Sequence, residues 1–304
     1  MTLPGPALIN DVISIVRREG GNRLRNAISG DEGLRPHEVA RADDPGLFGP
    51  SSVAWRVHGD AAMLIGGLRA LLFQTLHPLA MAGVAEHSDY RRDPWGRLHR
   101  TGRFIGGTTF GTTATAESII ATVRAVHDRV VGTAPDGRPY AANDPHLLLW
   151  VHATEVDSFL AAYDRYGQGQ LTDAERDRYV AEMAEIARRL GVGAAEVPTT
   201  VAELRATLDA FRAECSHGPQ VREAVRFLLT PPVPLALRGV YGLITAAALG
   251  LLPRWARLQL RLPLPPLADP LGIRLPATVL TRSIGWLMSE RREMDLDDRL
   301  LTPS

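Results

Sequence analysis

The fold of this chain is decided by residues 97–131, which read RLHRTGRFIGGTTFGTTATAESIIATVRAVHDRVV. Arg97, Thr101 and Thr108 are spaced by four and seven residues, which places their side chains on one face of an α-helix. The aspartate and proline at positions 93 and 94 are typical of a helix start, with the aspartate as cap and the proline in the first turn. The stretch therefore predicts a helix that directs an arginine and a threonine toward one pocket.

A second helix is predicted within the same stretch, from near Thr113 or Thr115 to a glycine cap at Gly132. Arg124 and His127 are three residues apart and lie on or beside its apolar face. The first helix carries or adjoins four glycines, each of which costs it up to roughly 1 kcal/mol relative to alanine. The close approach of another helix or of a flat ligand usually offsets such a cost. These glycines are Gly102, Gly106, Gly107 and Gly111.

Helical patterns cover most of the remaining chain. An apolar run after Asp60 predicts a buried central helix that ends or kinks at His77-Pro78, because proline disfavours helix in the residue before it. Thr172 and Thr200 each precede a glutamate by three residues, which is the capping-box signature of a helix start. We find no stretch with convincing strand alternation.

The predicted fold class is therefore all-α, with residues 1–304 forming a single-domain helical bundle. A short amphipathic helix through Ile9 and Val16 is expected near the start of the chain. The segment 262–304 begins with a proline-rich stretch, and a final helix is predicted from about Ala277 to Glu290.

Composition excludes several classes of site. The formal net charge is zero, which predicts no nucleic-acid partner. The chain contains no lysine, which excludes a Schiff-base lysine and a P-loop lysine. A lone cysteine, Cys215, excludes an internal disulfide, a cysteine-based zinc site, an iron–sulfur cluster and covalent haem attachment. Glu214 and His217 have Glu-x-x-His spacing, but a di-iron bundle needs two such motifs.

Each candidate site residue has a functional and a structural interpretation. His127 could ligate haem iron, or it could be a core histidine bonded to a backbone carbonyl. Arg97 could bind a haem propionate or a substrate carboxylate, or it could form a salt bridge. The hydroxyl of Thr101 could bond oxygen or water in the pocket, or it could bond back to its own helix. His152 is the second-choice iron ligand, while the imidazole of His77 is expected to cap the end of its helix.

The ordered set of motifs resembles the family of MpaB-type oxygenases and latex-clearing proteins (rubber oxygenases), over about residues 45–260. The motifs that carry the resemblance are Phe48-Gly49-Pro50, Ser52, Trp55-Arg56, Leu68-Arg69-Ala70-Leu71-Leu72, His77-Pro78, Asp93-Pro94-Trp95-Gly96-Arg97, Thr101, Phe110-Gly111, Arg124-x-x-His127, Tyr140 and Trp150-Val151-His152-Ala153-Thr154.

The resemblance implies a globin-like core that binds haem b. In the rubber-cleaving branch, an arginine and a threonine four residues later line the haem pocket, and a downstream histidine is the proximal iron ligand. These roles fall on Arg97, Thr101 and His127, and the arginine of the family's Arg-x-x-His falls on Arg124. Arg100 stands where those members have a lysine that can approach the iron, and arginine is not a usual ligand.

The activity that the resemblance implies is that of an oxidoreductase, a haem-dependent oxygenase that uses O₂ on a small apolar, isoprenoid-like substrate. Iron held by His127 would perform the oxidation, Arg97 would anchor a propionate, and Thr101 would hydrogen-bond oxygen. The family's pocket carboxylate is not evident, and Glu86 is the candidate. The first residues lack a charged region followed by an apolar run, which predicts a cytoplasmic protein.

Two alternatives belong to other classes of protein. One is a helical haem- or ligand-binding protein without turnover. The other is a helical scaffold that lies on membranes through residues 239–261, where an apolar run is followed by Trp255 and arginines. A buried helix with a basic exposed end would produce the same pattern and is the structural interpretation of this region.

Overall fold

The computed structural model describes residues 34–89, 91–232, 234–262 and 272–286. Most of these residues are helical, which confirms the predicted all-α class. A two-stranded antiparallel hairpin and two short 3₁₀ helices, Pro36–Glu38 and Leu235–Leu237, complete the described elements. The helices and strands are α1 (Val53–His58), α2 (Met63–Gln74), α3 (Pro78–His87), α4 (Pro94–Phe110), α5 (Thr113–His127), β1 (Val131–Thr133), β2 (Pro139–Ala141), α6 (Pro145–Tyr166), α7 (Asp173–Leu190), α8 (Val201–Phe211), α9 (Pro219–Leu229), α10 (Arg238–Leu251), α11 (Arg254–Gln259) and α12 (274–286).

The central feature of the fold is α2 packed along α6, with α10 against α2 and with α7 and α8 against α6. Gly66 allows the closest approach, since a side chain there would meet the ring of Phe159 at 2.9 Å. Arg69 is buried in this interface and donates to Asp157 and Ser158, both at 2.6 Å. The buried central helix predicted after Asp60 is therefore α2, and it is held by both apolar packing and a buried ion pair.

Helices α4 and α5 form an antiparallel hairpin joined by Gly111 and Thr112. Asp93 caps α4 by accepting from the backbone N–H of Gly96 at 2.8 Å, as predicted from the sequence. Close helix contact occurs at Gly107, where an added Cβ would lie 2.1 Å from Cδ1 of Ile119. The predicted approach of a second helix is therefore confirmed at this glycine.

The structure corrects three local predictions. Helix α5 ends at His127 with Asp128 as its cap, and Gly132 instead lies in the hairpin that we did not predict. His77 caps the start of α3, not the end of α2, because its Nδ1 accepts from the N–H of Ala80 at 3.4 Å. The region that includes residues 239–261 consists of two helices, α10 and α11, separated at Pro253, which cannot donate to a helical ladder.

Other predictions remain open. The amphipathic helix through Ile9 and Val16 and the end of the final helix lie outside the described residues, and the single domain and globin-like core remain predictions. In the described part of the chain, no helix has the length and apolar character needed to cross a membrane. The ring of Trp255 packs against Phe73 with centroids 5.5 Å apart, which agrees with the buried-helix interpretation of this region.

Candidate functional site

The predicted site residues lie on α4 and α5, close to the end of α3 and the β1–β2 hairpin in the chain. Helix α3 contacts both strands of the hairpin, and Arg97 on α4 donates to Ser88, the residue directly after α3. His127 ends α5, four residues before β1 begins at Val131. Arg97 lies 14 residues before Gly111, and His127 lies 15 residues after Thr112. At about 1.5 Å per residue, each lies roughly 21–23 Å along its own helix from the turn.

His127 occupies the last turn of α5 and is partly buried. Burial lowers its pKa, while the nearby side chain of Asn143 acts in the opposite direction. Its Nδ1 atom is buried, and within the described chain no partner meets the geometry of a hydrogen bond to it. Burial therefore favours the neutral form of the imidazole.

Asn143 lies beside His127, and the fold determines which of its atoms faces the imidazole. Its amide nitrogen donates to the carbonyl of Arg124 at 3.1 Å and to Oδ1 of Asp128 at 2.5 Å. Its Oδ1 is also buried without a partner in the described chain. Because both amide protons are already used, only the oxygen of Asn143 could accept from Nδ1–H of His127, and in the structure the two atoms do not meet the geometry of a hydrogen bond.

Arg97 and Thr101 are placed by local bonds. Nη1 of Arg97 donates to Oγ of Ser88, the residue that ends α3, at 2.9 Å. The hydroxyl of Thr101 donates to the carbonyl of Arg97 at 3.0 Å, which is the back-bond considered from the sequence. The hydroxyl oxygen keeps its acceptor lone pairs in this geometry, whereas donation to a ligand would require giving up the helical bond.

Two other arginines of this region point elsewhere. Arg124 is exposed, and its Nη1 donates to the carbonyl of Arg189 on α7 at 3.2 Å. It lines a shallow pocket between α5 and α7 together with Glu117 and Ile120. Arg100 is exposed and lies 3.5 Å from Asp93 at the start of α4. Arg97 and Thr101 therefore lie in the N-terminal half of α4 and His127 in the last turn of α5, while the contacts of Arg124 lie with α7.

A carboxylate–phenol–imidazole group lies at the same end. The hydroxyl of Tyr140 donates to the carboxylate of Glu86, and Nε2 of His87 lies 3.0 Å from the same hydroxyl. Burial, followed by the hydrogen bond to Glu86, raises the pKa of Tyr140 to about 12. Gly132 is required here, because an added Cβ would lie 2.5 Å from the Tyr140 hydroxyl. Glu86, the candidate pocket carboxylate, is therefore bound to a buried tyrosine.

Two glycines are surrounded by unfilled space. An added Cβ would meet no atom within 4 Å at Gly67 on α2 or at Gly106 on α4, although both residues are partly buried. Such positions allow a flat group to approach the backbone.

A second set of buried polar side chains lies on α1, α4, α6 and α7, and only His152 of this set was a candidate from the sequence. His58 bonds to the hydroxyls of Thr109 at 2.7 Å and Tyr179 at 2.9 Å. Burial raises the pKa of Glu155 to about 7 and lowers the pKa of His152 to about 4. Nε2 of His152 has no partner in the described chain. A single glutamate and a histidine within the apolar pattern of α6 were the signals that could have revealed this set.

Comparison with known proteins shows the family. No curated protein and no solved structure has significant similarity to the chain. Residues 55–283, which include the α4–α5 hairpin and every predicted site residue, match the family described as "ER-bound oxygenase mpaB/B'/Rubber oxygenase, catalytic domain". That match covers most of the 304 residues. The chain therefore belongs to the mpaB and rubber oxygenase family of catalytic domains.

Proposed function

We propose that this protein is a haem b-dependent oxygenase that acts with O₂ on a small apolar, isoprenoid-like substrate, and that His127 is the iron ligand. The observation that carries the proposal is the partly buried imidazole of His127 in the last turn of α5, whose buried Nδ1 makes no hydrogen bond in the described chain. A histidine that ligates a metal through one ring nitrogen usually donates its other N–H to a protein oxygen, and the side chain of Asn143 lies near enough to act on the imidazole. Membership of an oxygenase family supports the reaction class.

Arg97 is the residue proposed to bind a haem propionate. A guanidinium can donate two parallel hydrogen bonds to a carboxylate, and the bond of Nη1 to Ser88 orients the side chain of Arg97. The assignment follows the position of this arginine four residues before Thr101. Arg124 retains a predicted role at the cofactor, although its contact with α7 would have to change.

When bound, haem would supply the redox chemistry with O₂. The residues of the chain would orient the cofactor, limit the access of water and hold protons at defined atoms. Asn143 would keep the proton of His127 on Nδ1, which leaves the lone pair of Nε2 for the metal. The oxygen of Thr101 would accept a hydrogen bond from a pocket water, while its own proton stays on the helix.

The first experiment measures haem binding. Protein reconstituted with haem is expected to show a Soret band, which His127→Gly should abolish and added imidazole should restore. The exposed residue His37 supplies the control, because His37→Ala should leave the spectrum unchanged. His152→Ala tests the second-choice ligand. Full haem occupancy in His127→Gly without imidazole would overturn the ligand assignment.

The second experiment separates an enzyme from a haem carrier. O₂ consumption is measured with candidate alkenes at fixed haem content, for wild type and Arg97→Gln. The proposal expects alkene-dependent consumption by the wild type and a clear loss in the variant. Haem binding without any alkene-dependent consumption would indicate a non-catalytic haem protein instead.

A further inference from the structure

Three side chains that the proposed haem site does not use converge at the N-terminal ends of α3 and α6. The imidazoles of His77 and His146 and the carboxylate of Glu214 each offer one ligand atom, and these atoms all lie within 4.8 Å of one another. Nε2 of His146 lies 2.9 Å from both carboxylate oxygens of Glu214, and Nε2 of His77 lies 3.3 Å from one of them. We propose that these three residues bind one divalent transition-metal ion of the Zn²⁺ class.

Aromatic rings hold both imidazoles in place. The ring of Phe211 lies 4.5 Å from that of His146 and 6.1 Å from that of His77, measured between centroids. Trp150 lies 5.9 Å from His77, which is fully buried. The rings therefore lose little freedom when an ion binds, because packing has already restricted their rotamers.

Backbone hydrogen bonds hold the carboxylate against the two imidazoles. The N–H of Ser216 donates to the carbonyl of Leu76 at 2.9 Å, which ties the segment of Glu214 to the residue before His77. The N–H of Glu214 donates to the carbonyl of Phe211 at 2.9 Å. The site thus joins three segments distant in sequence and is formed before any ion arrives.

The ligand set suits a transition metal better than a hard cation. Two imidazole nitrogens and one carboxylate are typical of zinc and non-haem iron sites, whereas Mg²⁺ prefers oxygen ligands and water. His146 is exposed on one side, so water can occupy the remaining coordination position. Arg138, the cation that acts on His77 and Glu214, is itself paired with Asp136 at 2.8 Å.

Binding exchanges two hydrogen bonds for two metal–nitrogen bonds. In the metal-free protein, Nε2–H of each imidazole donates to Glu214. Coordination through Nε2 moves each proton to Nδ1 of the same ring, so no proton is lost from either histidine. For His77, this change gives up the contact of 3.4 Å with the N–H of Ala80 and sets two N–H donors against each other, so metal binding must offset that cost.

Isothermal titration of chelator-treated protein with Zn²⁺ tests the proposal, with Mg²⁺ as the comparison ion. We expect one Zn²⁺ per chain at micromolar concentration and no uptake of Mg²⁺. His146→Ala and Glu214→Gln should each weaken Zn²⁺ binding by about tenfold or more. His77→Asn should do the same while retaining an oxygen that can cap α3. His37→Ala, at an exposed site, is the matched control and should bind as the wild type does.

A second measurement identifies the ligands spectroscopically. Co²⁺ in the same site should give a visible absorption band that disappears in Glu214→Gln. His127→Gly should leave Zn²⁺ and Co²⁺ binding unchanged, which makes this site independent of the proposed haem ligand. The proposal would be overturned if the wild type bound no stoichiometric Zn²⁺. It would also be overturned if His146→Ala and Glu214→Gln bound Zn²⁺ as tightly as the wild type does.

Discussion

Replacement of Glu155 by glutamine tests whether α6 carries an ionisable group in a desolvated environment. Burial raises the pKa of Glu155 from 4.5 to about 7, although part of the side chain remains accessible. At roughly 1.4 kcal/mol per pH unit, this shift corresponds to about 3 kcal/mol. The folded pKa is the higher one, so this contribution to stability is complete below pH 4.5. It is lost as the pH rises through 7, because the unfolded chain ionises more readily.

The glutamine side chain of Glu155→Gln is neutral at every pH, so the variant should not show this loss of unfolding free energy. Urea unfolding at pH 4.5 and pH 8 gives the change in unfolding free energy for each protein at matched haem content. Between pH 4.5 and pH 8, we expect the unfolding free energy of the wild type to fall by about 3 kcal/mol more than that of the variant. Glu196→Gln, at an exposed position, is the control and should behave as the wild type does. Equal losses in wild type and Glu155→Gln would refute the assignment of a buried ionisable carboxyl.

Three further substitutions test a buried ion pair, a glycine with positive φ and a helix cap. Arg69→Met leaves Asp157 without its partner at 2.6 Å and should lower the unfolding free energy by about 3 kcal/mol in urea unfolding. Gly46→Ala should cost about 2 kcal/mol or more in the same assay, because its φ is 74° and an added Cβ would lie 2.1 Å from a backbone oxygen at the α4–α5 turn. Thr172→Ala removes the capping bond of 3.2 Å at the start of α7 and should cost about 1 kcal/mol, seen as a lower thermal midpoint.

Each of these substitutions has a matched comparison. Gly49→Ala shares the φ of 74° but meets its nearest atom at 3.6 Å, so it should cost less than Gly46→Ala. A similar cost at both positions would show that backbone strain alone is responsible. Wild-type stability in Arg69→Met would show that the buried ion pair does not hold α2 to α6. For Thr172→Ala, an unchanged midpoint would contradict the importance of the cap.

Helix starts were predictable because their signals are local. The capping boxes at Thr172 and Thr200 and the Asp93-Pro94 start depend on residues at most three positions apart, and all are present in the structure. The end of α5 was predicted wrongly because Gly132 was interpreted as a helix cap. Gly132 instead provides room for Tyr140 and Glu86, which pack against it from other segments.

The sequence by itself determined the helical class, the two helices around residues 97–131 and the residue types available for a site. Only the tertiary structure decided that Asn143 bonds to the carbonyl of Arg124 and that Arg124 bonds to α7. It also decided that Glu214 meets His77 and His146 instead of acting with His217. The physical reason is the separation in sequence of the residues that interact. A helix cap is formed by residues that are neighbours along the chain. A side-chain cluster instead depends on how helices distant in sequence pack together, and no local pattern encodes that packing.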